Sequence, residues 1–485
     1  MSTRRSPGQT TRGPDARTAQ RPGARRPDAP GRDVQRDTKR AEQAAATVVI
    51  VVAGFVVAAT LGVAVPVAGL AAAAVLGLTA VLFAASREPA MLAVLAMPLL
   101  CSVQRLGGGE DGSGLSVSDA VLFVMFWVMA FLGPRPLSPV LRALLWLTAF
   151  YQATTLFTVL INPYTANAVE WLHAWLLTAG AVLVGWGAAR RGYATAALTL
   201  IVLTTAAISV LAIAIAVMLL AEGDLQEVYL YWPFFMHKNV IGTLAAFSAI
   251  VMYARPPWLR WPTWATTPMF WLLCGGMVAS QSRQAIVSVV VAVVLVALRG
   301  SSLASRSRAV LIPMFGAVVA VGLAVAAQFS EANQFNSVYQ RLDWYAQTTE
   351  VWKMNPWFGM GLRWWYTGLL SEEFQPPQAI LEMLSSAGIV GLLGFVVMLG
   401  GFMAVMWRRL PPQYGTLAVA MVLARVVQGQ LDQFWVTVQV SLPLVIVGIC
   451  VGAHDHANPP GQRHDVVVVL DETPVTPARS GRSAR

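Results

Sequence analysis

Uninterrupted apolar runs dominate this chain, and their number restricts its fold more than any other feature. Stretches long enough to cross a hydrocarbon layer as helices fall at about 46–65, 67–86, 89–104, 118–133, 138–160, 168–188 and 193–221. Others follow at about 238–254, 268–282, 284–298, 309–328, 379–406, 414–429 and 435–453. The third, ninth and tenth are short, so the expectation is about 12–14 transmembrane helices. None shows the polar alternation that a membrane barrel strand requires. With 56% hydrophobic and only 12% charged residues, the expected fold is an all-α polytopic membrane helix bundle.

Charge sorts the connections between these runs into two sets. Alternate loops carry Arg87, Arg135, Arg190 with Arg191, Arg255 with Arg260, Arg299 with Arg306, and Arg408 with Arg409. The intervening loops carry acids instead: Glu110, Glu170, Glu222 with Asp224 and Glu227, Glu331, Glu372 and Asp432. The positive-inside bias then predicts a cytoplasmic-membrane protein with both termini cytoplasmic. Residues 1–45 form a basic tail almost without large apolar residues, expected to be disordered, and residues 454–485 form a second polar tail. The first apolar run begins too far from Met1 for a secretory signal peptide. The net charge of +10 lies in the tails and on one set of loops, which points to membrane lipids and not to nucleic acid. Cys101, Cys274 and Cys450 all lie within or beside apolar runs, so no disulfide framework is implied.

The bundle, 46–453, is interrupted once at length, by residues 329–378. Connections in compact proteins are usually a few residues long, and one of this size is functional or disordered. Its wealth of Trp and Tyr argues for a folded extracytoplasmic cap loop. On the same face lie Met236-His237-Lys238-Asn239, opening one span, and the polar hairpin Ser280-Gln281-Ser282-Arg283-Gln284. Arg341, Asp343, Trp344, Arg363 and Glu373 belong to the cap, Gln378 and Glu382 stand at the next span's entry, and Arg425 lies near the outer end of a later one. An ionisable group in hydrocarbon costs roughly 2.5–3.5 kcal/mol on insertion scales, so Arg425 needs a partner or a polar cavity.

Several outward arginines suit an anion, because guanidinium forks bind phosphate oxygens bidentately and stay charged in a dry site. Aromatic faces such as Trp344, Trp364 and Trp365 suit sugar rings, although interfacial belts use the same residues. Together they suggest a lipid-linked phosphate bearing sugar. His237 is the histidine placed to exchange a proton near neutral pH. No phosphate-binding Gly-rich loop is present, and no two outer histidines stand at metal-ligand spacing, so neither cofactor nor metal is expected.

The order of these pieces resembles the O-antigen ligase and O-antigen polymerase superfamily. The matching pieces are His237-Lys-Asn239…Gly242, Ser280-x-Ser282-Arg283 and Arg341-x-x-Trp344. Asn355-Pro-Trp-Phe-Gly359-Met-Gly361 is similar to that family's Pro-x-x-Gly-x-Gly element, and Ala379-to-Gly391 resembles the helix after its catalytic His-Asn. The resemblance implies metal-independent transfer of a glycan from a polyprenyl diphosphate carrier to an acceptor hydroxyl on a glycan or glycolipid, outside the inner membrane. By position, Arg283 and Arg341 would bind the diphosphate, with Lys238, Asn239, Ser282, Trp344, Arg363, Gln378 and Arg425 around the substrate. Stabilising the leaving charge is worth about 3–4 kcal/mol per group removed.

This sequence departs from the pattern at one place: Pro377-Gln378 occupies the His-Asn position. His237, Asp343, Glu373 and Glu382 are then the alternative base candidates. Two further readings stand beside the enzyme: a flippase for lipid-linked oligosaccharide, and a non-catalytic binder of such a glycan. A flippase calls for charges along a central path, related halves and short loops, whereas this chain concentrates its polarity in one cap.

Overall fold

The computed structural model describes residues 88–106, 115–224, 226–232, 234–299, 310–330, 337–370 and 373–459. The first two expected spans, the N-terminal tail and residues 460–485 lie outside them. The regular structure of the described residues is helical, apart from a two-residue antiparallel pair, β1 (Arg105–Leu106) with β2 (Leu115–Ser116), and an isolated bridge between Leu230 and Met236. Helices α1 (Pro89–Ala96), α2 (Val117–Leu132) and α3 (Pro139–Ile161) are followed by α4 (Thr165–Trp175), α5 (Ala181–Ala188) and α6 (Ala194–Ala221). Then come α7 (Lys238–Ala254), α8 (Thr263–Ala279), α9 (Arg283–Arg299) and α10 (Leu311–Ser330). The cap helix α11 (Ser337–Met354) precedes α12 (Ala379–Arg409), α13 (Pro412–Gly429) and α14 (Thr437–Ala457).

Helices α3, α12, α14 and the run Thr165–Ala221 are each long and apolar enough to cross a membrane, and α2 and α7 are shorter apolar helices. The protein is thus an all-α polytopic membrane protein, as its apolar runs predict. Local chemistry sets the helix starts. Ser116 and Asp119 form a reciprocal capping box on α2, Ser138 caps α3 ahead of a proline at its first position, and Gln378 accepts the Leu381 N–H at the start of α12. The run from α4 to α6 breaks at Gly192, whose φ of 92° lies in the left-handed region.

Small residues let helices approach where no water is available to drive them together. A Cβ on Gly185 of α5 would lie 2.0 Å from the Val445 carbonyl oxygen, and one on Gly448 of α14 would lie 2.2 Å from that of Val182. The α5–α14 pair therefore packs backbone to backbone, and α14 is buried along most of its length.

Polar contacts gather at two opposite ends, as the alternating loop charges require. At one end Arg191 pairs with Glu88 at 2.9 Å, Trp186 donates to Asp455 at 2.7 Å, and Arg299 donates to the Trp407 carbonyl at 3.0 Å. These contacts carry α14 to Ala457, past the expected start of the C-terminal tail at residue 454, because Asp455 is buried against Trp186 and Arg190. The cap and the starts of α7, α9 and α12 occupy the other end.

Near that second end α12 is broken. Gly388 has φ 65° and ψ −166°, which ends one helical segment and begins another. The backbone groups released there pair with the Asn355–Gly361 loop. Met360 and Gly361 N–H donate to the carbonyls of Ser385 and Ser386, both at 2.9 Å, while Ile389 and Val390 N–H donate to those of Pro356 and Trp357 at 2.9 and 3.2 Å. A Cβ on Gly388 would sit 2.2 Å from the Trp357 carbonyl carbon, and one on Gly359 (φ 68°) would sit 2.3 Å from that of Ser386. Glycine is required on both sides of this exchange. Gly388→Ala should therefore destabilise the folded protein by about 2–4 kcal/mol through strain and a lost exchange. Thermal unfolding in detergent, with Gly400→Ala in open space as control, checks it; equal midpoints would refute the account.

Candidate functional site

The residues singled out in sequence fall into two neighbouring groups at the cap end. The first is built on the turn between α13 and α14. Asp432 accepts from the side-chain amides of Asn239, at 2.9 Å, and Gln284, at 2.8 Å. Its neighbour Leu431 offers its carbonyl to the Arg341 guanidinium. Three distant stretches, the first turn of α7, the first turn of α9 and the cap helix, are therefore brought to one two-residue turn. Arg283 is the first residue of α9, next to Gln284, and is half-buried. Ser282 is buried with no hydrogen-bond partner for its hydroxyl, and Gly242 is needed opposite it because a Cβ there would lie 2.3 Å from the Ser282 Cβ.

Arg425 supports this turn from below. Only 3% exposed, it donates to Gln439 at 3.1 Å and to the carbonyls of Gln433, at 2.9 Å, and Phe434. Its guanidinium also lies 4.7 Å from the centre of the Phe434 ring. The partner that a buried arginine demands is thus backbone and amide oxygen. Such contacts fix the charge in place without cancelling it.

His237 is the N-cap of α7: its Nδ1 accepts the Asn239 N–H at 3.2 Å, and Tyr229 meets the ring edge-on. A ring that accepts at Nδ1 carries its hydrogen on Nε2 and is neutral. Burial against its surroundings lowers its pKa, with Asp432 pulling the other way. Lys238 pairs with Glu227 at 2.8 Å, a hydrogen bond that holds the Glu227 carboxyl below its usual range. Asp343 and Glu373 are exposed on the cap. Trp344 stacks on Phe374 with ring centres 5.4 Å apart.

The second group is buried. His173 lies between two carboxylates, with Nε2 at 3.1 Å from Asp119 and Nδ1 at 3.2 Å from Glu170. Two carboxylate acceptors require two ring N–H donors, so the ring is an imidazolium. Glu170 also accepts from Arg363, through Nε at 2.9 Å and through Nη2. Two acids and two cations cancel, which makes this burial tolerable. Leu362 N–H donates to Asn167 at 2.9 Å alongside, so the segment after the broken-helix exchange is fastened to α4. Nothing in the sequence pairs Asp119, Glu170 and His173; the available signal was a histidine among acids at the starts of two apolar runs.

Glu382 joins the two groups. It is 1% exposed, accepting from Gln375 at 2.6 Å and from the Phe434 N–H at 3.3 Å. With Glu170, Tyr151, Ser386 and Trp435 it lines a cavity of about 10 Å3, room for one water. Gln378 caps α12 through its carbonyl oxygen and donates to Gln430 at 2.8 Å. Among the described residues no group of three His, Cys, Asp or Glu side chains is placed to hold a metal ion.

Residues 268–396 match the family model described as O-Antigen ligase. That span runs from α8 into α12 and contains Arg283, Arg341, Arg363, Glu382 and both sides of the broken-helix exchange. The match bears out the resemblance drawn from motif order. No curated protein matches the chain.

Arg363→Met should leave Glu170 over-charged in the interior and destabilise the fold by about 3–5 kcal/mol, with faster proteolysis within residues 359–378. An unchanged melting midpoint and cleavage pattern would refute the fastening role. His237 makes a pH prediction. Because its folded pKa is lowered, its contribution to stability is present above about pH 6.5 and lost as pH falls below it. His237→Ser keeps a capping oxygen and removes the titration. The variant's melting midpoint should fall less than the native one between about pH 7.5 and 5.5; parallel falls would reject the capping assignment.

Proposed function

We propose that this chain, with its O-antigen ligase match across residues 268–396, is a membrane glycosyltransferase. In this reading it moves a glycan from a polyprenyl diphosphate carrier to an acceptor hydroxyl on the outer face of the cytoplasmic membrane. The observation that carries the reading is the gathering of the α7 start, the α9 start and Arg341 at the Leu431–Asp432 turn. Two arginine-bearing segments then face one place, beside the N-terminal ends of two helices, where backbone N–H groups favour an anion.

The chemistry asked of such a site is modest. The bond between the anomeric carbon and the diphosphate oxygen breaks as the acceptor oxygen attacks, and negative charge builds on the leaving oxygens. Arg283 and Arg341 stabilise that charge. Asn239 and Ser282 line the approach, and the stacked Trp344 and Phe374 give the cap a flat aromatic face for sugar. Glu382 is satisfied inside the bundle and Arg363 is neutralised by Glu170, so both act here by holding the cap in place. A flippase finds less support, because the buried charges of the cap end are held by hydrogen bonds and ion pairs within the fold.

Arg283→Ala and Arg341→Ala should each reduce glycan transfer at least about 100-fold with protein level unchanged. In the cell, polyprenyl-linked glycan should accumulate on the outer leaflet of the membrane. Accumulation on the inner leaflet would point to flipping, and undiminished transfer in both variants would end the diphosphate reading.

A further inference from the structure

We propose that Asp432 is the group that takes the proton from the acceptor hydroxyl, an inference that rests on the glycosyltransferase reading above. The resemblance leads one to expect a histidine before α12, and Gln378 stands there with an amide that cannot accept a proton. Another group must do so, and geometry narrows the choice. His237 spends its lone pair on the Asn239 N–H and so presents a donor. Glu382 has its oxygens engaged by Gln375 and the Phe434 N–H, in the bundle interior. Glu170 is bound by His173 and Arg363. Asp343 and Glu373 stand on the exposed side of the cap.

Asp432 differs from all of these. It is half-buried and sits where the two motif-bearing helix starts meet the cap arginine. Both amides, from Asn239 and Gln284, bind the same oxygen, Oδ2. Two neutral donors on one oxygen orient the carboxylate without quenching its charge, and Arg425 holds the turn beneath it through carbonyls. A carboxylate is a sufficient base for this chemistry. Glycosyl transfer passes through an oxocarbenium-like transition state in which the attacking hydroxyl loses its proton late, and hydrolytic enzymes use aspartate or glutamate for the same task.

The acceptor oxygen forms its bond to the anomeric carbon, the carbon–oxygen bond to the carrier breaks, and the electron pair leaves with the diphosphate. The hydroxyl proton passes to Asp432, which returns it to water after the products part.

The test uses the purified full chain in detergent, with farnesyl diphosphate as a binding probe and carrier-linked glycan extracted from the parent membranes as donor. Asp432→Asn should lower kcat by at least about 100-fold. It should bind farnesyl diphosphate as tightly as the native chain or more tightly, because a negative charge has left an anion site. Arg283→Ala and Arg341→Ala should do the reverse and lose the probe. Should Asp432→Asn lose the probe as well, Asp432→Gly decides the matter: added formate restores transfer if the missing group is a base, and no restoration overturns the proposal. Transfer undiminished in Asp432→Asn also overturns it. A native chain that ignores farnesyl diphosphate would instead sink the diphosphate reading, which separates the two failures.

Discussion

A helix that stops inside an apolar bundle leaves backbone donors and acceptors with no water to take them, and each such group costs about 1–3 kcal/mol if left unpaired. At Gly388 this chain does stop, and the remedy is another stretch of backbone from the cap. The Asn355–Gly361 loop gives two carbonyls and two N–H groups to the break and receives the same in return. Much else at this end follows from that exchange. Once Gly361 is fixed, Leu362 reaches Asn167 and Arg363 reaches Glu170. Thr158 and Asn162 of the α3 end close the same joint on Ser386 and Gly359 at 2.9 and 3.1 Å. The Gly-rich element is therefore a backbone joint in the first place, and its glycines are required because each side leaves no room for a Cβ.

Charge is handled in two different ways on the two sides of that joint. Beneath it, Asp119, His173, Glu170 and Arg363 form a closed set with no net charge, suited to a dry interior. Above it, Arg341 and Arg425 are held by carbonyls and amides, which position a guanidinium and leave its charge intact. The neutral set fastens structure, and the positive set offers a field. One constraint, that a buried ion needs compensation, thus separates residues that hold the cap from residues able to meet an anion.

Much of this was legible in the sequence, for identifiable reasons. Span positions follow from the lengths of the apolar runs, which survive any detail of packing; α7, α9 and α12 begin within a residue of where hydrophobicity predicts. The two-ended segregation of charge was readable because arginine pairs and clusters of acids fall in alternate connections. The meeting of Asn239, Gln284 and Arg341 was readable only as a shared face. The buried ion set was not, because His173 and Asp119 lie 54 residues apart and Arg363 lies 193 from Glu170, so only the packed fold selects the partners. Neither was the break at Gly388, since an isolated glycine in an apolar run reads as a tolerated helix residue. Helix α11 also escaped, because SVYQRLDWYAQTTEVWKM has no apolar stripe of helical period.

Gln378 ties the entry of α12 to the turn between α13 and α14. Its carbonyl oxygen does the work of a helix cap on α12, and its amide nitrogen reaches Gln430 at the C-terminal end of α13. Two residues further lies Asp432. The link therefore fastens the entry of α12 to the turn that carries a carboxylate, through groups that neither gain nor lose a proton near neutral pH. A histidine in this place would combine positioning with proton transfer. Here Gln378 supplies positioning alone, and the turn it holds carries the half-buried Asp432. An amide pair has no proton to exchange near neutral pH, so the fastening of the α12 entry to this turn does not depend on the charges gathered around it.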